Sequence, residues 1–196
     1  IYNLASFNQY LKAMEGFLKQ RGGYRSLRVY KLTEIIYDLT VYFVRKYIPV
    51  NSRTRDQMEQ AARSGKQNIA EGSMASETSR ETEIKLTNVA KASLEELLLD
   101  YEDYLRQNEL RQWEEGFPRK EALVGYIKSE DFMMDPLKFA DSYSAEEYCN
   151  LCIALIYQAS YLLHRLMEAQ QRQFLKEGGI REQMYNARKD YRNKKG

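Results

Sequence analysis

Apolar residues recur at intervals of three and four in four stretches of the chain, which is the spacing of one face of an α-helix. In the first stretch the apolar positions are Leu32, Ile35, Ile36, Leu39 and Phe43. Four helices are therefore predicted, over about 26–47, 52–71, 78–106 and 144–177. Pro49 follows the first helix and Gly72 follows the second, and both residue types favour a helix end.

Helix starts are marked by capping boxes, in which a Ser or Thr and a Glu three residues later satisfy free backbone amides. Thr78 with Glu81 predicts the start of the third helix, and Ser144 with Glu147 predicts the start of the fourth. Gly178 and the glycine after it predict the end of the fourth helix.

Short connections between the first three helices favour antiparallel neighbours, and the longer third connection has room to fold over one end. We predict an all-α fold, an antiparallel (up-and-down) four-helix bundle with N-terminal and C-terminal helical extensions. The predicted segments are an N-terminal amphipathic segment over 1–23, the bundle over 24–177 with an irregular connection over 107–143, and a basic tail over 178–196. A chain of 196 residues is long enough for one core with such appendages.

The composition agrees with a folded helical protein. Hydrophobic residues make up 43% of the chain and charged residues 30%, and three prolines interrupt it. No stretch approaches the roughly 18 consecutive apolar residues of a transmembrane helix. The N-terminal residues show no export signal. We therefore expect a cytoplasmic protein with no membrane partner.

The motifs for catalysis are weak. Cys149 and Cys152 share one helix face, a spacing that suits redox or zinc chemistry. A structural zinc site needs four ligands, however, and the chain has two cysteines and one histidine, His164. We interpret both thiols as small, partly buried apolar groups, and His164 as a surface or interhelical hydrogen-bonding residue. The sequence predicts a protein that is not an enzyme and that holds no cofactor or metal.

The third helix is rich in carboxylates. They are Glu95, Glu96, Asp100, Glu102 and Asp103. We interpret this run as a solvated helix face rather than as paired catalytic carboxylates.

Positive charge, in contrast, collects in three places. Every charged residue over 19–31 is basic, a second basic group flanks the turn between the first two helices, and residues 178–196 include six basic and two acidic side chains. Arginines suit phosphate groups, and interleaved tyrosines suit unpaired bases. The residues predicted to contact RNA or DNA are Arg21, Arg25, Arg28, Lys31, Arg53, Arg55, Arg63, Lys66, Arg188, Lys189 and Arg192.

This interpretation requires the basic groups to meet as one continuous cationic surface on the assembled particle. The charge pattern leaves three alternatives open. The basic residues could pair with the acidic third helix of a neighbouring subunit, they could dock an acidic protein partner without nucleic acid, or the tail could serve solubility alone. The sixteen tyrosines leave a similar choice between subunit interfaces and core margins.

Two stretches, 57–73 and 86–97, carry a more specific pattern. Its residues are Arg63, Gln67, Asn68, Ile69, Ala70, Glu71, Gly72, Asn88, Ser93, Leu94 and Glu96. In these residues the chain resembles the bacterial four-helix-bundle family first noticed in open reading frames within ribosomal RNA intervening sequences. Relatives of that family include the accessory variability determinant of diversity-generating retroelements. The resemblance covers roughly 24–106, and the segment from 144 to the tail resembles the suffix domain of a subgroup.

The resemblance implies a homopentamer of bundles with basic surfaces and, for the retroelement relatives, association with a reverse transcriptase and its template RNA. This chain departs from the compact members in its N-terminal segment, long connection and suffix. We therefore expect a non-enzymatic, oligomeric accessory protein that binds RNA or DNA, with a reverse transcriptase as the candidate protein partner. The competing hypothesis is a protein-interaction scaffold that binds an acidic partner.

Overall fold

The computed structural model describes residues 23–193. Over this range the regular structure consists of a short 3-10 helix, Tyr24–Ser26, and seven α-helices, which confirms the predicted all-helical character. The helices are α1 (Arg28–Tyr47), α2 (Arg53–Ala75), α3 (Arg80–Gln107), α4 (Pro118–Ile127), α5 (Glu130–Met134), α6 (Ala145–Glu177) and α7 (Ile180–Asn193).

The four long helices α1, α2, α3 and α6 surround one hydrophobic core. Contacts join α1 to α2, α2 to α3, α3 to α6 and α6 to α1, so each long helix has two neighbours, as a four-helix bundle requires. Phe43 lies at the centre of an aromatic cluster, with its ring centroid 5.0 to 5.6 Å from those of four tyrosines. These tyrosines are Tyr47, Tyr101, Tyr104 and Tyr148.

Buried tyrosine hydroxyls in this cluster find partners inside the bundle. The Tyr101 hydroxyl donates to Thr40 Oγ1 at 3.0 Å, and the Tyr148 hydroxyl donates to the backbone carbonyl of Leu39 at 3.0 Å. A buried polar group without a partner would cost free energy, and these bonds remove that cost. Several of the sixteen tyrosines are therefore core residues.

Close helix approach explains a glycine whose predicted role was wrong. Gly72 does not end α2, which continues to Ala75. A Cβ atom at Gly72 would lie 3.2 Å from the carbonyl oxygen of Glu83 and 3.3 Å from Leu86 Cβ, so the absent side chain lets α3 pack tightly against α2.

The two predicted capping boxes have different outcomes. Thr78 does not cap α3; Ser79 does, with its hydroxyl accepting from the backbone amide of Thr82 at 3.1 Å. The box at the start of α6 is confirmed, because Ser144 Oγ accepts from the Glu147 amide and a Glu147 carboxylate oxygen accepts from the Ser144 amide.

The connection over 107–143, predicted to be irregular, contains the two short helices α4 and α5. The connection is tied to the bundle by specific bonds. The backbone amide of Trp113 donates to Asn150 Oδ1 at 2.8 Å, and the Trp113 indole donates to Glu146 at 2.9 Å. Lys46 donates to the carbonyl oxygen of Asp141 at 2.9 Å and also approaches those of Ala140 and Tyr143.

The two ends of the chain differ in what the structure describes. Of the predicted N-terminal segment, residues 1–22 lie outside the described range. Most of the predicted basic tail is helical, since α7 covers Ile180–Asn193. Gly178 separates α7 from α6 with a left-handed φ of 69°, a conformation that glycine adopts without strain. Among residues 23–193, no helix is long and apolar enough to cross a membrane.

Candidate nucleic-acid interface

The predicted cationic residues do not form one continuous patch on a single protomer, and a continuous surface on the assembled particle stays a prediction. Arg28 begins α1, whereas Arg53 begins α2 after the turn that follows the far end of α1. Twenty residues of helix separate the two sites, which corresponds to about 30 Å at 1.5 Å per residue. The tertiary structure therefore divides the predicted residues into separate groups.

The first group lies around the start of α1. Arg25, Arg28 and Lys31 are exposed, and no carboxylate within the described range forms an ion pair with any of them. The Arg25 guanidinium lies 5.5 Å from the ring centroid of Tyr24, a cation–π contact that leaves its N–H donors open to solvent. Arg21, the remaining predicted member, falls in the undescribed N-terminal residues.

The second group lies on α2 and is partly engaged within the protomer. Arg55 approaches Glu59 at 4.0 Å, and Lys66 lies 4.3 Å above the ring centroid of Tyr37. Arg53 and Arg63 are exposed. Two of the four predicted residues on α2, Arg55 and Lys66, therefore already have a partner within the protomer. Their charges are less available to a phosphate group.

The third group is on α7, where local helical geometry sorts the side chains into two stripes. Positions four, seven and eleven after Arg181 fall on the same face of an α-helix. This cationic stripe consists of Arg181, Tyr185, Arg188 and Arg192. The neighbouring apolar stripe has the same spacing and consists of Ile180, Met184, Ala187 and Tyr191.

The cationic stripe is open to solvent. None of the α7 residues is buried, and within the described part of the chain Arg181, Arg188, Lys189 and Arg192 form no ion pair. A concavity of about 260 Å³ opens on this face. It is lined by Tyr185, Arg188, Lys189, Arg192 and Asn193. Tyr185 was not predicted as a site residue, although its spacing from the arginines is readable in the sequence.

An acidic groove of about 710 Å³ runs between α2 and α3. Its charged lining comprises Arg53, Asp56, Glu96 and Asp100. Burial, with the neighbouring carboxylates of Asp103 and Glu96, raises the pKa of Asp100 to about 6. The interpretation of this run as a solvated face holds for the exposed Glu95, Glu96 and Asp103. It does not hold for Asp100 and Glu102, which are half-buried.

The thiols lie in the core rather than at its margin. Cys149 and Cys152 are both fully buried, and burial raises the pKa of each, that of Cys152 to about 12. His164 is exposed, with Nε2 3.5 Å from a carboxylate oxygen of Glu168. Among the described residues, no three His, Cys, Asp or Glu side chains form a group that could hold a metal ion.

Comparison with known proteins adds no relative to this picture. No family model, curated protein or solved structure shows a significant match to the chain. The family resemblance seen in 57–73 and 86–97 therefore stays a prediction. The exposed charged and aromatic surface is the basis on which a function can be proposed.

Proposed function

We propose that this protein is a non-enzymatic, oligomeric accessory protein that binds RNA or DNA through α7 and the basic residues at the start of α1. The observation that carries the proposal is the cationic stripe of α7, where arginines share one exposed face without carboxylate partners. Such guanidinium groups are free to form bidentate contacts with phosphate. The buried thiols, whose pKa values are raised, are poor nucleophiles, in keeping with a role that is not catalytic.

The proposal includes the antiparallel, up-and-down topology of the bundle. Two contacts between α2 and α3 and two between α3 and α6 support it. Between α2 and α3, Ser64 contacts Ser93, and the later residue Gly72 approaches the earlier residue Glu83, so the two helices pair in reversed order. Between α3 and α6, Gln170 contacts Thr87. Tyr157 donates to Glu102, so α3 and α6 also pair with reversed order. In this topology the start of α1 and the end of α6 share one end of the bundle.

At that shared end, the basic group around the start of α1 and the basic group on α7 can act as one binding surface. Arg25, Arg28 and Lys31 then lie at the end of the bundle from which α7 departs. Phosphates along one strand could contact both groups and release their condensed counterions. The partly engaged residues on α2 lie elsewhere and would contribute less.

The test is a salt-titrated binding assay with a labelled RNA and a DNA of the same sequence. Replacing Arg188, Lys189 and Arg192 together with Gln should weaken binding at least tenfold and reduce the slope of log affinity against log salt by about 2 to 3. The matched control replaces Arg53, Arg55 and Lys66 with Gln, which removes the same charge and should weaken binding much less. Equal losses in the two triple variants would contradict the proposal.

A second candidate function is a scaffold that binds an acidic protein. The apolar stripe beside the cationic stripe favours it, because amphipathic helices of this kind dock into grooves of protein partners. A reverse transcriptase is the partner that the family resemblance suggests. Co-purification with the tagged, full-length protein, with and without nuclease treatment, separates the two functions: an acidic partner retained after nuclease favours the scaffold.

Self-association is the remaining part of the proposal. Exposed large side chains on α3 and α6, among them Leu99, Tyr157 and Tyr161, supply amphipathic surface of the kind found at subunit interfaces. The resemblance makes a pentamer of the 23.2 kDa chain the expected particle. Light scattering coupled to size exclusion measures its mass, and a monomer at micromolar concentration would remove oligomerisation from the proposal.

A further inference from the structure

The cationic stripe of α7 contains an aromatic ring that phosphate binding does not need. Resting on the proposed function, we propose that α7 selects single-stranded nucleic acid, with an unpaired base stacking on Tyr185 while the flanking arginines hold its phosphates. This assigns a ligand class and a base-contacting residue to the surface. Neither follows from charge alone.

The position of Tyr185 within the stripe supports a stacking role. The side chain is 69% exposed, and Arg181 and Arg188 lie about one helical turn before and after it on the same face. Along the helix axis, the backbone of Arg181 lies about 6 Å before that of Tyr185 and the backbone of Arg188 about 4.5 Å after it, so a base on the ring would have an arginine on each side. Arg192 and Lys189 extend the positive charge past the ring.

The concavity beside the ring has the chemistry of a base-stacking platform. It is lined by one aromatic side chain, three cations and Asn193, whose amide offers both donors and an acceptor to a base edge. Every base has a π-face, so stacking on tyrosine tolerates any sequence, and neighbouring arginines add cation–π attraction.

Duplex nucleic acid lacks what this surface would recognise. Paired bases are stacked on each other and do not present a free face to a tyrosine on a helix surface. The major groove of A-form RNA is also too deep and narrow for side chains to read. Duplexes would therefore meet only the arginines and lysines of α7, whereas a single strand would meet the cations and the ring.

The same helix offers a matched control. Tyr191 is 57% exposed but belongs to the apolar stripe with Met184, so its ring is on a different face from the arginines. Replacing either tyrosine with alanine removes one exposed ring from α7 and alters no charge. A specific stacking role predicts that only the change at position 185 affects binding.

The experiment measures the affinity of full-length protein for an unstructured RNA 20-mer, the matching DNA 20-mer and the corresponding RNA duplex at one salt concentration. Tyr185→Ala should weaken binding to both single strands by about 5- to 150-fold, the range for loss of one aromatic stacking contact. Binding to the duplex should change less than twofold, and Tyr185→Phe should retain single-strand binding. Tyr191→Ala should change each affinity less than twofold. Circular dichroism confirms that each variant keeps its helical content.

The outcomes separate this inference from the proposed function. If Tyr185→Ala and Tyr191→Ala behave alike, or if duplex binding falls as much as single-strand binding, base stacking at Tyr185 is wrong while phosphate binding by α7 survives. If the unmodified protein binds none of the three nucleic acids, the proposed function fails first. Binding to anionic lipid vesicles in place of any nucleic acid would overturn both.

Discussion

Helices α6 and α7 follow one another in the chain and have similar local patterns, yet they play different structural roles. In α6 the apolar stripe is covered by α1 and α3, and eleven side chains between Tyr148 and Gln170 are buried. In α7 an apolar stripe with the same helical periodicity is present, but no residue is buried. Amphipathic spacing therefore indicates a helix with a face to cover, and only the tertiary structure shows whether the protomer itself covers it.

This difference has an energetic consequence. Burial of apolar area stabilises α6 within the bundle, whereas a 14-residue helix without such burial is marginal in water. The free energy that could stabilise α7 would come from a ligand or partner. Substitutions in the two helices should accordingly separate stability from binding.

The largest expected effect is on stability, from removing a buried ring of α6. Tyr148 is fully buried, and its hydroxyl bonds the carbonyl of Leu39. Tyr148→Ala should lower the free energy of unfolding by about 3 to 5 kcal/mol, because it leaves a cavity in the core and removes the hydroxyl's hydrogen bond to α1. Urea denaturation measures the change. Tyr185→Ala in α7 is the control, because it makes the same substitution at an exposed position. If it lowered the free energy of unfolding by more than about 1 kcal/mol, the proposed difference between α6 and α7 would be wrong.

The next effect concerns a little-exposed ion pair in the first turn of α3, whose arginine also approaches the last turn of α6. Arg80 and Glu83 have side chains 10% and 12% exposed and lie 2.9 Å apart, and Arg80 also approaches Glu177 at 3.7 Å. Arg80→Met should cost about 3 kcal/mol, since it leaves the Glu83 carboxylate with little solvent and no cation. The control is Arg106→Met, which breaks an exposed pair and should change the denaturation midpoint little. Equal midpoints for the two variants would show that Glu83 is better solvated than the structure indicates.

A smaller effect depends on pH and involves the acidic groove. The pKa of Asp100 is raised to about 6, so the folded protein holds this proton more tightly than the unfolded chain does. Stability linked to Asp100 should therefore be greatest below pH 4 and fall as pH rises through 6. Arg53 and Asp56 face the same groove from α2 and supply charges of both signs.

Asp100→Asn isolates this contribution. At pH 7.5 the variant should be more stable than the unmodified protein by about 1 kcal/mol, a value reduced for the partial solvent screening of the carboxyl group. At pH 4 the two should unfold alike. Chemical denaturation at both pH values checks the prediction, and a difference that does not depend on pH would assign the effect to another cause.

The smallest effect on stability should come from deleting α7 altogether. A chain that ends at Gly179 keeps the backbone bond from Gly178 to Phe174 that closes α6. Its free energy of unfolding should stay within about 0.5 kcal/mol of the full-length value, because none of the α7 residues is buried, while nucleic-acid affinity should fall. A loss of stability well above 1 kcal/mol would mean that α7 packs against the bundle.

Local patterns predicted the four long helices well, because each has a continuous apolar stripe and compatible residues. The capping box at Ser144 was likewise readable, since both of its side chains are three residues apart in the chain. The error at Gly72 has a different origin. A glycine near a helix end and a glycine at a helix–helix contact look the same in sequence, and the position of Glu83 across the interface decides between them.

The candidate site was predictable only in part. The charge of each group and the helical spacing of the α7 arginines follow from the sequence. The engagement of Lys66 by Tyr37, 29 residues away in the chain, does not. The sequence also does not reveal that the Lys46 ammonium group donates to a backbone carbonyl of the connection after α5.

The amino-acid sequence by itself determined the helical class, the approximate extent of the long helices and the places where positive charge collects, because these depend on residues close together in the chain. The tertiary structure alone decided which side of each helix is covered and which cations keep their charge free for a ligand. Those outcomes depend on partners from distant segments, and ion pairs, ring contacts and burial form only when the segments pack.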